Sequence, residues 1–292
     1  MRAQPCHDLY LKLNPYGPKN TEVSQPEMKA WIEAHPRSLR EGARFLANNI
    51  KLIDQPTLEQ NLFSAVSQFK SENPSAEAVF VVHETGVINK SGSVMMGAVL
   101  DHFPELRGQP VFSDRELGRL KAYIDAHPNA KAVIVDDAAH KGTQLHSVME
   151  SVSQKIGKEK VVAALGYATK SAVQKCSKFG KVYFGANIPT IGELVAADKS
   201  KSLTKSIEQL ATESSRYLSP VYLYDNTLIL FENSSVDTHS FPHFLKDGIV
   251  PVHNLFGFDS GRKKAIQFIH AQKASYKNLP YVSPSSVFTN GE

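Results

Sequence analysis

Val133, Ile134 and Val135 run into Asp136 and Asp137, followed by Ala138, Ala139, His140, Lys141, Gly142, Thr143 and Gln144. These types in this order could hold a phosphorylated sugar. Two adjacent carboxylates accept hydrogen bonds from vicinal hydroxyls. Gly142 lets the backbone approach a phosphate closely, Thr143 adds a hydroxyl donor, and a helix starting here would present its free N–H groups to an anion. Lys141 can serve a phosphate as a point charge, and His140 can accept a proton or donate to the phosphate. A pair of acids after an apolar run also occurs as a solvated turn, so the weight lies in the whole order of strand, acids, small residues, glycine, hydroxyl and helix.

The surrounding sequence supplies the elements that would position such a loop. Ala78, Val79, Phe80, Val81 and Val82 form an apolar run without alternation, as a strand buried on both faces of a parallel sheet requires. It empties into His83, Glu84, Thr85 and Gly86. A helix follows through Val94, Met95, Ala98 and Val99, then a short strand at Pro110, Val111 and Phe112, then a helix marked by Leu117, Leu120 and Ile124 with Ser113 and Glu116 as a capping box. A strand at 132–135, a helix striped by Leu145, Val148, Met149 and Val152, and strands at 161–165 and 182–185 with a helix between them continue the alternation. Such alternation predicts right-handed βαβ units in a parallel sheet, whose ligands sit beyond the carboxyl ends of the strands.

The loop 136–144 resembles the 5-phosphoribosyl 1-pyrophosphate (PRPP) loop of type I phosphoribosyltransferases, closest to the orotate branch. The resemblance implies a PRTase-like α/β fold, a parallel sheet flanked by helices with a C-terminal hood or cap. It assigns Asp136 and Asp137 to the ribose hydroxyls, with His140 beside the reacting centre, and Ala138, Ala139, Lys141, Gly142, Thr143 and Gln144 to the 5-phosphate. It places a pyrophosphate-binding loop at His83, Glu84, Thr85 and Gly86. It further implies transfer of phosphoribosyl to an unidentified nitrogen acceptor with release of pyrophosphate, Mg²⁺ held through PRPP and not by protein side chains alone, with Asp136 and Asp137 as candidate contacts, and a homodimer. Downstream, Thr190 and Glu193 form a capping box at a strand-to-helix turn similar to the family's last one. Lys141 and Gln144 stand where the family often has hydroxyl residues, and no mobile basic loop is identifiable. Those departures favour the alternative of a non-catalytic ligand-sensing or partner-binding member; reuse of the fold on another ribosyl phosphate is a third reading.

The resemblance spans 75–200. Residues 1–74 read as a tail and N-terminal helices, at 27–35, at 38–50 and from Thr57, where Thr57 and Gln60 suggest a capping box. Residues 201–292 read as a cap or edge addition: a helix through Leu203, Ile207 and Leu210, a hairpin pairing 221–224 with 227–231, an aromatic and histidine-rich stretch at 239–258, and a last helix at 262–272. His239, His243 and His253 lack carboxylate or cysteine partners at ligand spacing, so no protein-bound metal is expected there. Arg262, Lys263 and Lys264 read as a solvated basic face.

Of 292 residues 41% are hydrophobic and 21% charged, enough apolar content for a sizeable core. The net charge of +4 is scattered, so a nucleic-acid partner is not expected. The 2 cysteines, Cys6 and Cys176, lack disulfide-scaffold or zinc spacing and suit a reducing compartment. Met1 to Asn20 carries Pro5, Pro15 and Pro18 without an apolar core, and no stretch could span a bilayer. A cytoplasmic protein without membrane partners is expected, with signal-less export compatible.

Overall fold

A computed structural model describes residue 29 and residues 32–49, 51–83, 91–214 and 224–231. In chain order the elements are α1 (Arg40–Asn49), β1 (Lys51–Ile53), α2 (Gln55–Glu72), β2 (Glu77–Val82), α3 (Ser91–His102), β3 (Val111–Ser113), α4 (Leu117–Ala126), β4 (Ala130–Ala139), α5 (Thr143–Ile156), β5 (Val161–Ala168), α6 (Lys170–Cys176), β6 (Lys181–Asn187), α7 (Ile191–Asp198), α8 (Lys201–Ser214) and β7 (Ile229–Phe231). Five strands form one sheet in the order β3-β2-β4-β5-β6, and every neighbouring pair is parallel. The protein is thus α/β, with a parallel sheet flanked by helices.

Every residue of β5 is buried, as is all of β2 after Glu77. Two apolar layers account for this. One unites Leu58, Leu62 and Phe69 of α2 and Met96 and Leu100 of α3 with Phe80, Val133 and Val162. The other unites Leu120, Leu145, Met149 and Ala172 from α4, α5 and α6 with Val81, Ile134 and Leu165. The helix at 55–72, assigned above to the N-terminal region, therefore forms part of the sheet's cover.

The order of the strands creates a switch point. The chain leaves β2 for β3 on one side and returns to β4 on the other, so the connections above β2 and β4 diverge and leave a crevice at their carboxyl ends. Beyond Ile134, the last residue of β4 paired to β2, the edge of β4 facing that crevice has no β2 partner.

The structure corrects several local expectations. The strand expected at 132–135 continues through Ala139, because Ala138 and Ala139 pair with Tyr167 and Ala168 of β5; Asp136 and Asp137 lie on a strand and not in a loop. Helix α2 starts at Gln55, with Asp54 accepting a hydrogen bond from the Thr57 N–H at 2.8 Å, so its cap is Asp54 and not a Thr57–Gln60 box. At α4 only half of the expected box forms: the Ser113 N–H donates to Glu116 Oε2 at 3.0 Å, and the Ser113 hydroxyl makes no reciprocal cap. The Thr190–Glu193 box is complete, at 2.9 and 3.2 Å. In the described half of the expected hairpin, Ile229, Leu230 and Phe231 pair parallel with Lys51, Leu52 and Ile53, and Tyr224 lies in a helical turn and not in a strand. Its other half at 221–223, the tail at 1–25, the helices at 27–35 (most of it) and 262–272, and the histidine-rich stretch lie outside the described residues. The terminal regions also meet at α1 and α8, where the Gly42 N–H donates to Ser206 Oγ at 2.9 Å and that hydroxyl donates to the Ser38 carbonyl at 3.1 Å.

One irregularity crosses three strands at the same level. In β4, Val133 and Val135 belong to the first layer and Ile134 to the second, yet Ala138 returns to the first and Ala139 to the second, so the two-residue alternation has slipped by one. The same slip separates Ala164 from Tyr167 in β5 and Tyr183 from Ala186 in β6. The ladder skips Asp137, Gly166 and Gly185. Helix α2 presses on this line: a Cβ on Gly166 would lie 2.7 Å from Leu58 Cδ1, and one on Gly185 would lie 2.1 Å from the Asn61 carbonyl oxygen. Bulge-like slips re-aim the side chains beyond them. Here the slip lies one residue past Asp136, which lines the candidate site.

Candidate functional site

The crevice between β2 and β4 is narrow and is lined by His83, Gly92, Asp136 and Gln144 over an apolar floor that includes Val135 and Leu145. Each comes from a different part of the switch point. His83 follows the last residue of β2, Asp136 lies on β4 past the end of its pairing with β2, Gln144 is in the first turn of α5, and Gly92 is in the first turn of α3. A Cβ on Gly92 would lie 2.8 Å from the Val135 carbonyl oxygen, so only glycine lets α3 come this close to β4. The first turns of two helices therefore approach Asp136, and the partial positive charge at helix N-termini favours anions there.

The phosphate-type turn is built as a rigid corner. Gly142 caps α5 in the left-handed conformation, φ 63°, and a Cβ there would lie 3.0 Å from the Ala172 Cα and Cβ. The corner is tied to the β5–α6 junction at several points. The Thr169 N–H donates to the Ala139 carbonyl at 3.0 Å, its hydroxyl donates to the His140 carbonyl and accepts from the Ala172 N–H at 3.1 Å, and the Cys176 thiol lies against the Gly142 carbonyl at 3.6 Å. Burial pushes the Cys176 thiol up to about 11, so it serves packing and not reactivity. Thr143 and Gln144 are exposed, and Lys175 donates to the Thr143 hydroxyl at 3.2 Å, which brings a cation to the start of α5.

The two acids occupy different settings. Asp136 Oδ1 accepts from the Asp137 N–H at 3.0 Å and lines the crevice. Asp137 Oδ1 accepts from the Ala138 N–H at 2.7 Å and sits at the strand slip. Burial, joined by the neighbouring Asp136 carboxylate, lifts the Asp137 carboxyl from 3.8 to about 7, against the Ala138 N–H and the charge of His140, which pull it down. Asp136 is thus the acid placed for a ligand in the crevice.

No protein-family model matches the sequence, and no curated protein does. The site is therefore read from its own geometry.

His140 does not line the crevice. Its Nδ1 meets Thr227 Oγ1 at 2.8 Å and its ring packs edge-on against Phe231 at 6.0 Å, so the C-terminal segment holds it. Thr227 is fully buried and bridges to Thr190. Ala138 and Lys141 are half-buried and Ala139 buried along the same turn. Glu84, Thr85 and Gly86 lie outside the described residues. Sequence reasoning missed Asp114, Thr169, Lys175 and Thr227. Only Thr169 carries a local signal, as a cap-type residue at a strand-to-helix junction. Among the described residues no group of three His, Cys, Asp or Glu side chains converges on one point as a metal cage would need.

Proposed function

We propose that the crevice binds a ribose 5-phosphate ligand, PRPP or a relative, and that the protein transfers its phosphoribosyl group to a nitrogen acceptor with release of pyrophosphate. The observation that carries this reading is the placement of Asp136 at the switch point beside a helix whose left-handed Gly142 cap is locked by the β5–α6 corner. In it, Asp136 accepts hydrogen bonds from the ribose hydroxyls, with Asp137 beside it, and the first N–H groups of α5 with Lys141, Thr143 and Lys175 take the 5-phosphate. The pyrophosphate falls to the end of β2. Mg²⁺ suits this donor set, since it is commonly held by one or two carboxylates together with phosphate oxygens, and it would neutralise the leaving group's charge. The protein's own part is to position the donor and exclude water.

One observation favours the alternative of a ligand-sensing member. Because His140 is bonded to Thr227 and packed on Phe231, occupation of the turn is mechanically linked to the C-terminal segment.

The reading is tested by Asp136→Asn. Ribose 5-phosphate affinity should fall about tenfold or more, as expected when a charged hydrogen-bond acceptor is lost, while inorganic phosphate affinity stays within about twofold. Equal loss of both, or of neither, would remove Asp136 from the sugar site.

A further inference from the structure

We propose that His83 is the proton donor of this site and that Asp114 is its positioning residue, with the Nε2 proton passing to the phosphate oxygen that leaves the ribose C1. This rests on the reading above and deepens it.

The pair follows from the sheet register. Val82 and Ser113 are partners in the parallel β2–β3 ladder, so His83 and Asp114 are the next residues beyond its end. The Asp114 N–H donates to the Val82 carbonyl at 3.0 Å, which fixes the acid against the neighbouring strand. Its Oδ2 meets His83 Nδ1. A carboxylate can only accept at that contact, so Nδ1 carries a proton in either charge state of the ring; in the protonated ring Nε2 carries the second proton, and that is the one left to meet a ligand. The His83 side chain is 26% exposed and that of Asp114 14%, so the pair is shielded yet reachable. His83 shares the crevice with Asp136. Among the described residues, Asp136 of β4 lines the same crevice as His83, and Arg115, Glu116 and Arg119 follow Asp114 in the chain, the last two bound to each other at 2.6 Å.

In the step, the C1–O bond breaks with its electron pair going to the pyrophosphate oxygen, and that oxygen takes the Nε2 proton. The acceptor's lone pair forms the new bond to C1, and the acceptor's own proton goes to water. His83 regains a proton from solvent. A His–Asp pair that only stapled β2 to β3 would leave the pH dependence of pyrophosphate release unmoved.

The experiment follows pyrophosphate release from PRPP and Mg²⁺, with water as acceptor, from about pH 5 to about pH 9, for the full-length protein and its His83→Gln and Asp114→Asn variants. Parallel calorimetric titrations measure PRPP binding. The expected result is PRPP affinity within about threefold of the parent in H83Q, release slowed by about 100-fold, and loss of the limb on which release falls as pH rises. In D114N release should slow while PRPP affinity stays within about threefold of the parent, since the ring loses the partner that holds its Nδ1 side. If D114N fails to fold, H83Q decides alone. Unchanged release or an unchanged pH profile in H83Q would overturn the donor role and leave the binding reading standing, as would binding by the parent protein without any release. Loss of PRPP binding in folded H83Q would make His83 a binding residue and overturn it too. Failure of the parent protein to bind PRPP would overturn the reading and the donor role together.

Discussion

Asp137 illustrates how one side chain ties the site to stability. Its folded carboxyl titrates at about 7 and its unfolded one near 3.8, so the folded state holds the proton more tightly between those values. The stabilising contribution is complete below 3.8 and is lost as pH rises through about 7. Asp137→Asn should therefore stabilise the protein at pH 8, on the order of 1–3 kcal/mol, and should do little at low pH where the acid is already neutral. Urea unfolding at the two pH values measures this, and equal effects at both would contradict the assigned burial. Gly142→Ala should cost about 1–3 kcal/mol, because it combines a left-handed backbone with a Cβ pressed on Ala172. Thermal denaturation reads that loss. Both residues were legible in the sequence, since a pair of acids and a glycine behind an apolar run are local signals. Asp114 was not: its meaning comes from β2 and β3 being neighbours, a non-local fact that no short motif carries.

At the scale of elements, β2, β4 and β5 were readable as short continuous apolar runs and α5 and α8 as apolar stripes at helical spacing. The ends were less so. The acids belong to β4 because β5 runs beside them and pairs with Asp136, Ala138 and Ala139 on either side of Asp137, which the polar composition of 136–137 conceals. The aligned slip at Asp137, Gly166 and Gly185 was also hidden, as it depends on α2 lying across the sheet. It makes a sharp prediction. In Gly185→Ala the new Cβ would meet backbone of α2, which has no flexible end to yield, so the fold should lose on the order of 3–5 kcal/mol. Gly118→Ala, where a Cβ meets nothing within 4 Å, is the control and should be neutral or slightly stabilising by helix propensity. Equal midpoints of chemical unfolding for the two variants would contradict the packing of α2.

For the whole molecule, segments at the two ends of the described chain converge. β1 pairs with β7, α1 packs on α8, and Thr227 reaches the turn that carries His140. A local hairpin looked natural across Asp225 and Asn226, but a partner 178 positions away from Ile229, at Lys51, cannot be inferred from neighbouring residues. Thr227→Val should cost about 1 kcal/mol for the hydrogen bond to His140. Under the sensing alternative it should also change ribose 5-phosphate affinity, which a pure transferase site with Asp136 and α5 intact would not require. Ligand titration of that variant separates the two readings at the scale where they differ.

A ribose-phosphate site at the switch point is tested by calorimetric titration of the full-length protein with PRPP and Mg²⁺, with the Asp136→Asn/Asp137→Asn double variant beside it. Saturable one-site binding is expected for the parent protein, and a loss of about tenfold or more for the folded double variant. Absence of binding to the parent, or equal binding to both proteins, would contradict it.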